Sequence, residues 1–571
     1  MTVSADKAKR YDRGIRIWGS KGQEDLESAK VLLINAGPTG AEALKNLVLG
    51  GIHSFTVLDD AKILPSDLGN NFLLPPDSLG CSRAQHITEC LKELNDTVSG
   101  SFVEEESLSS LLSSNPTFFH QFSIILASQL REQQALQLEH ICHQYNIPLV
   151  LCRSYGLVGT LRVCVSEHTV VESKPDSVVD DLRLSDPWPA LSDYVNSIDL
   201  STLDDSTHSH LPYAIILIKA AKEWKANHGG KLPSTATERA EFKSLIKSWQ
   251  KMVDGVPLDE ENFHEAVSNA QRVWAPPVLS AEVQALFDDA ACCPEQLSST
   301  SADFWFLVAA LKMFMMQNGD SSSDTNGDGN QGGRMFPPPL DGHIPDMHAS
   351  TQLYLDLQRL YKEKAEQDAF AVEGHLKMFL DAVGREAISK NIGNDNTNTN
   401  NTNTAAAIPL SEVRRFCKNA RHLRLVRPRL LSDEISTCNA TALRAALANE
   451  ETSSSAGLYV LLRAVDKFHD TYQRYPGVYD DEVEEDLALL KTTVNATLAE
   501  CGVGGAAGGS VSDDLAGEVC RCAAGELHVV AAAVGTMASQ EAIKLVTGQF
   551  VPVEGTLIWD AIHCTTACFR F

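Results

Sequence analysis

Between residues 31 and 58 the hydrophobic pattern changes period twice. Apolar Val31 to Ile34 read as a strand, and a turn carrying Gly37 and Gly40 follows. Leu44, Leu47 and Val48 then recur at helical spacing, and Phe55 to Leu58 read as a second strand ending at Asp59. The alternation continues with a helix at 83–94, a strand at 122–127, a helix at 132–145 and strands at 148–152 and 161–165. Strands that alternate with helices predict a parallel sheet, hence an α/β, Rossmann-like fold. Beyond it the pattern shifts to long amphipathic helices around 213–225, 240–252, 262–272, 350–382 and 457–471, a large helical insertion. After CGVGGAAGGS (501–510), expected to be a flexible linker, a helix of small residues at 527–547 and strands at 553–561 and 565–571 return the chain to its first sheet. The predicted division is 1–165 and 511–571 for the α/β domain, with 166–510 as the insertion.

Three polar stretches, 318–333, 391–404 and 449–456, have too few apolar residues to build a core and read as solvated, disordered loops. The acidic run from Asp480 to Asp486 suits a helix N-terminus, where carboxylates meet the positive end of the dipole.

At 571 residues with 75 acidic against 48 basic side chains, the chain carries a net charge of −27. That charge repels nucleic-acid phosphates and anionic membranes and favours basic protein partners. The charged first residues do not form a signal peptide, and no run of eighteen apolar residues occurs. A soluble protein of the cytoplasm and nucleus is expected. The 14 cysteines include no pair of C-x-x-C knuckles, so reduced, mostly buried thiols and no metal site are expected.

The turn after the first strand is a damaged phosphate loop. In G-x-G-x-x-G the glycines make the tight turn, admit the phosphates and let helix pack on strand. Here Asn35 holds the first place, Gly37 and Gly40 keep the later two, and Asp59 stands where an acid would take a ribose hydroxyl. Asn tolerates positive φ, so the turn can survive while its fit to a nucleotide does not.

Nearly the whole chain, the low-complexity loops excepted, resembles the amino-terminal, non-catalytic partners of ubiquitin-like-protein activating enzymes, with their ThiF-type adenylation fold. The matching segments are Tyr11-Asp12-Arg13, Ile15 to Gly19, KNLVLGGI (45–52), DLGNNF (67–72), RSYGLVG (153–159), GHIPDM (342–347), LLRAVDKFH (461–469), RYPGV (474–478) and the 540–547 helix. Its length points to the neddylation branch, since the matching Sumo-activating half is shorter and the ubiquitin-activating enzyme joins both halves in one chain.

The resemblance implies a heterodimer with a catalytic subunit that uses ATP and magnesium to adenylate the modifier Nedd-eight (Rub). That subunit then captures the modifier on a cysteine and passes it to a conjugating enzyme. It implies no cofactor in this chain, which is expected to be a pseudo-adenylation subunit with a regulatory role. Where active relatives carry Asn-x-x-Arg-Gln, this chain reads Asp67-Leu68-Gly69-Asn70-Asn71. Ala61 replaces a second acid, Arg83 stands for a lysine, and Gln129 stands near an expected acid. Missing fixed charge should abolish adenylation, whose transition state must be stabilised electrostatically. Cys564-Thr565 is the nearest lookalike of a nucleophile motif.

Arg13 matches an arginine that reaches the partner's ATP in trans, and Gly342, Ile344, Pro345, Asp346 and Met347 match a segment that contacts the catalytic subunit. Two other readings compete. An NAD-dependent oxidoreductase would use Asp59 on the ribose, and a self-sufficient adenylating enzyme would need the missing charges.

Overall fold

Val31–Ile34 is buried on both faces, as a central parallel strand must be, and forms β1 (Lys30–Ile34). The computed structural model describes residues 9–176, 179–253, 256–275, 279–317, 338–348, 351–385, 408–504 and 511–571. The expected loops 318–333 and 391–404, and residues 505–510 of the expected linker, lie outside the described residues.

The chain divides into two units, one of residues 1–170 with 425–571 and one of residues 171–424. In the first, helix α1 (Asp12–Ser28) leads into β1, α2 (Pro38–Gly50), β2 (Ser54–Leu58), α3 (Arg83–Leu94), β3 (Ser99–Val103) and β4 (Ile124–Ser128). Helix α4 (Glu132–Gln144), β5 (Leu149–Tyr155) and β6 (Val158–Cys164) follow. After the inserted unit come α5 (Ala440–Ala448), α6 (Ser453–Tyr472), α7 (Val483–Glu500), α8 (Asp513–Cys522), α9 (His528–Thr547), β7 (Thr556–Asp560) and β8 (Thr565–Phe569). The eight strands lie in the order β8-β7-β6-β5-β4-β1-β2-β3. The pairs among β3, β2, β1, β4 and β5 are parallel, and β6, β7 and β8 extend the sheet antiparallel. The order in which strands are added reverses at β1, with β2 and β3 on one side and β4 and β5 on the other, so the switch point between β1 and β4 lies beside the glycine turn, where such sheets bind ligands.

Helix α9 packs on α2 and on this sheet. Gly535 makes the close approach possible: a Cβ there would come 2.7 Å from Glu42 Cβ and 2.8 Å from the Thr39 carbonyl. By length and composition α9 could cross a membrane, yet Val530, Val534, Ala538 and Ala542 belong to the domain core.

The structure moves the second boundary. Residues 425–504 belong to the α/β unit, and the insertion ends near 424 instead of 510. The apolar stripes of α5, α6 and α7 share one core with Tyr155, Val158, Ile558 and Phe569 at the antiparallel end of the sheet. Periodicity reveals that a helix buries a face but does not tell which core receives it. The stretch 449–456 is likewise only half loop. Its residues from Ser453 onward open α6, Ser455 and Ala456 are buried, and the Asn449 carbonyl accepts from the Ser453 N–H at 2.8 Å. Cys501 and Val503, in the expected linker, are buried too. The acidic run does open a helix, with Glu484, Glu485 and Asp486 in the first turn of α7.

The inserted unit is mainly helical, as its periodicity predicts. Helices Tyr213–Asn227, Ala236–Ser248, Glu261–Asn269 and Thr351–Ala382 surround a core that includes Ile215, Ile216, Phe242, Phe263 and Tyr361.

Candidate functional site

The glycine turn keeps its backbone shape without its first glycine. Asn35 adopts φ 61°, a left-handed conformation that Asn tolerates better than most side chains. Its amide donates to the Ser128 carbonyl at 2.8 Å, and Ser128 Oγ donates back to the Asn35 carbonyl at 2.6 Å. A side chain at Gly40 would strike that carbonyl and come 2.8 Å from Ser128 Oγ, so the third glycine keeps its packing role.

Helix α2 begins at Pro38, which has no N–H to offer, leaving Thr39 as the first backbone donor facing the turn. In a nucleotide-binding relative of this fold an anion sits at such a helix terminus. Here the anion comes from the chain itself. Glu526 Oε2 accepts from the Thr39 N–H at 3.2 Å, from Thr39 Oγ1 at 2.7 Å and from Ser154 Oγ at 3.3 Å. Its Oε1 stands 2.6 Å from where a Cβ on Gly37 would lie, the space the second glycine leaves for a phosphate. The Glu526 backbone is pinned as well. Asn70 Nδ2 donates to its carbonyl at 3.0 Å, and the Gly156 N–H donates to the neighbouring Gly525 carbonyl at 2.7 Å.

Asp59 is equally occupied. It is 3% exposed, and its carboxylate accepts from the N–H groups of Ala36 (2.7 Å) and Ala61 (3.0 Å). Arg83 binds it twice, Nε to Oδ2 at 2.7 Å and Nη2 to Oδ1 at 3.2 Å, and reaches Asp67 at 3.4 Å. Burial works against the guanidinium charge, but Asp59 first, then Asp67 and Glu526, outweigh it and raise the Arg83 pKa above its ordinary value. Asp59 therefore ties the glycine turn to α3 and has no free oxygen to offer a ribose. Asn71, buried, donates to the Ala36 carbonyl at 3.3 Å, so the DLGNNF segment braces the turn from below. Gln129, at φ 56°, donates to the Ser154 carbonyl at 2.7 Å.

Around this turn the matching motifs hold structure by ion pairs. Asp466 accepts from Arg153 at 2.8 Å and from the Glu132 N–H at 2.9 Å, while Arg463 donates to Glu132 at 2.8 Å. These contacts fasten α6 to β5 and to the start of α4. Arg474 makes a bidentate pair with buried Asp486, 2.7 Å on one arm, and the same carboxylate accepts from the Gly477 N–H at 2.8 Å.

Arg13 stands apart. It is exposed on α1 and makes no hydrogen bond or ion pair among the described residues, whereas Arg10 pairs with Asp96 and Arg16 with Asp12. Within the inserted unit, Gly342 (φ 74°) and Ile344 are buried against that unit's own helices, Pro345 and Met347 are half-buried, and Asp346 is exposed. Gly342 and Ile344 thus shape the segment, and Asp346 is its outward charge.

Two other clusters resemble chemistry without its geometry. Ser454, His563 and Asp560 adjoin, but His563 Nδ1 faces both Asp560 (2.8 Å) and Ser454 (3.2 Å), while Ser454 donates to Asp560 at 2.6 Å. A nucleophile needs the ring's second nitrogen as its base, so this cluster is a turn lock. Cys564 lies exposed in the turn between β7 and β8, at φ 53°. Among the described residues no group of three or more His, Cys, Asp or Glu side chains could hold a metal ion.

Sequence reasoning found the turn, Asp59 and Arg83, but missed Glu526, which lies 487 positions from Thr39. Its only sequence signal is its place at the entry to the helix that packs on α2.

A parallel switch-point sheet, a glycine turn and a returning helix against α2 describe one class of protein. The model of the ThiF family matches residues 11–564, and the chain belongs to that family. More particularly, it is 45% identical over 554 residues to the NEDD8-activating enzyme E1 regulatory subunit AXR1 of Arabidopsis thaliana, covering 97% of this chain and 94% of that one. It is 40% identical over 567 residues to the NEDD8-activating enzyme E1 regulatory subunit of Xenopus laevis, covering 99% and 98%. The Caenorhabditis elegans protein of the same name is 30% identical, with 99% of each chain covered.

Proposed function

We propose that this chain is the regulatory subunit of a heterodimeric NEDD8-activating enzyme, supporting ATP-dependent adenylation and thioester formation carried out by a catalytic partner. Full-length similarity to proteins of that name supports the reading. The single structural observation that carries the non-catalytic half of it is Glu526. A carboxylate fixed at the α2 terminus repels the phosphates that an active site must hold there, and Arg83 is already neutralised by two acids. Nothing in the geometry favours an oxidoreductase, because Asp59 is spent on Arg83 and on backbone N–H groups.

ATP and magnesium then belong to the partner's site, where magnesium and fixed cations would neutralise phosphate charge. The exposed Arg13 supplies a delocalised cation that can reach such a site in trans. Phe72, Leu527 and Val529 leave large apolar side chains exposed beside the glycine turn, Phe72 packing near His528, which supports this edge as a partner-facing surface. Asp346 and its neighbours offer a second contact.

The test is pyrophosphate exchange driven by ATP and NEDD8. The chain alone should give none, and the chain mixed with a catalytic subunit should give a modifier-dependent signal. Exchange by the unaccompanied chain would refute the assignment.

A further inference from the structure

Within the α/β unit, side chains from strands β4 to β7 and from helices α4 and α6 line a cavity of about 120 Å³. Much of its wall is hydrocarbon, from Leu130, Leu151, Leu431, Leu462 and Ile558. Three arginines also reach it, and each is held by an acid: Arg153 by Asp466, Arg463 by Glu132 and Arg162 by Glu434, all at 2.8 Å. Three cations against three carboxylates leave no charge to spare, so the space favours an uncharged occupant. Arg162 differs from the other two in what its burial leaves over. It is 4% exposed, its Nη1 donates to Glu434 and, at 2.7 Å, to Thr556 Oγ1, and its Nη2 donates to the Arg429 carbonyl at 2.7 Å. Its Nε–H has no acceptor among the described residues. Folded proteins rarely leave a buried donor unsatisfied, and here the donor belongs to a side chain that lines a cavity.

We propose that this cavity is a binding site for a compact, uncharged ring compound with one hydrogen-bond acceptor, a neutral heterocycle or small cyclic ketone, whose acceptor takes the Arg162 Nε–H. The size fits: an engineered protein cavity of about 150 Å³ with Leu, Ile and Phe walls takes up benzene. The hydrocarbon body of the ligand lies against Leu151, Leu462 and Ile558, and the single polar atom satisfies the donor. Such a division, an apolar wall with one or two polar groups that fix orientation, is the ordinary composition of a small-molecule site. Water alone would satisfy the Nε–H but would leave the hydrocarbon wall wet. The ligand bridges β6, which carries Arg162, to α6, which carries Leu462 and is fastened to β5 and α4 through Asp466 and Arg463. Occupancy therefore tightens the seat of α6 on the sheet.

The full chain is titrated with pyridine and with benzene at mildly alkaline pH, where pyridine carries no charge. The two rings are nearly equal in size and differ in one acceptor. Pyridine should raise the unfolding temperature saturably and bind roughly tenfold more tightly than benzene, the worth of one hydrogen bond from a charged donor. A crystal soaked in pyridine should show the ring beside Leu462 with its nitrogen in hydrogen-bond distance of Arg162 Nε. Ala135→Leu, which pushes a larger side chain into the space, should abolish the temperature rise. The first two measurements use the wild-type chain and stand whether or not that variant folds. No saturable binding of pyridine, equal affinity for the two rings, ordered water alone in the soaked crystal, or undiminished binding by a folded Ala135→Leu chain would each overturn the proposal.

Discussion

The glycine turn and helix α1 treat charge in opposite ways. At the turn Asp59, Arg83, Asp67 and Glu526 all find partners within the chain, whereas on α1 the Arg13 guanidinium has none among the described residues. Ion pairs and hydrogen bonds closed within one chain stabilise a fold but leave nothing for a ligand. A cation held exposed on a helix costs little and remains available to another molecule. The charges around the glycine turn are therefore satisfied inside the chain, whereas the Arg13 guanidinium stays exposed.

The largest expected effect comes from breaking the closed side. Asp59→Ala strips Arg83 of its main partner and orphans the Ala36 N–H in a buried setting, so it should destabilise the α/β unit by about 3–5 kcal/mol, measured by urea unfolding. An unchanged midpoint would show that the turn is held by something else.

Next comes the open side. Arg13→Ala should leave the fold and the heterodimer intact while slowing adenylation by the assembled enzyme on the order of 10- to 100-fold, or about 1.4–2.7 kcal/mol of barrier. Arg13→Lys should recover only part of the rate, because an ammonium cannot offer two parallel donors. Single-turnover formation of the modifier adenylate gives the readout, and an unchanged rate removes Arg13 from the mechanism.

A smaller effect is expected at Glu526. Glu526→Gln preserves an acceptor for Thr39 but removes the charge at the α2 terminus, costing about 0.5–1 kcal/mol. Thermal unfolding at low and high salt would check it, the loss shrinking as salt screens the wild-type interaction.

The smallest effect concerns pH. The hydrogen bonds from Arg474 hold Asp486 below the usual carboxylate range despite burial, with the Gly477 N–H assisting. A folded pKa below the unfolded value contributes stability that is fully present above about pH 4 and is lost as pH falls through the folded value. Asp486→Asn should flatten that part of the stability profile below about pH 4, and an unaltered slope would count against the pair.

How much of this was legible in the sequence follows from distance along the chain. β1, α2 and β2 are local patterns, and Asn35 could be placed in a left-handed turn from its own chemistry, as its φ of 61° bears out. The small residues of α9 announced close packing, which Gly535 provides. Arg83 was visible as a cation, but its two acids were not, since pairing depends on where the loop after β2 folds back. Glu526 was invisible because its meeting with Thr39 depends on α9 returning across the whole insertion. The boundary at 424 was missed for a related reason: α5, α6 and α7 carry the same amphipathic stripes as the inserted helices, and only the fold decides that they cover β6, β7 and β8. The burial of Ile344 and Gly342 in the insertion's own core was not legible either, since it depends on packing against helices distant in sequence.

The most direct test of the central claim, that Glu526 closes the phosphate cradle, is a calorimetric titration of magnesium ATP into the purified full-length chain. No binding up to about 1 mM nucleotide is expected, corresponding to an affinity weaker than about −4 kcal/mol. Saturable binding at micromolar ATP would contradict the account, because the nucleotide would have to displace a carboxylate held by Thr39 and Ser154.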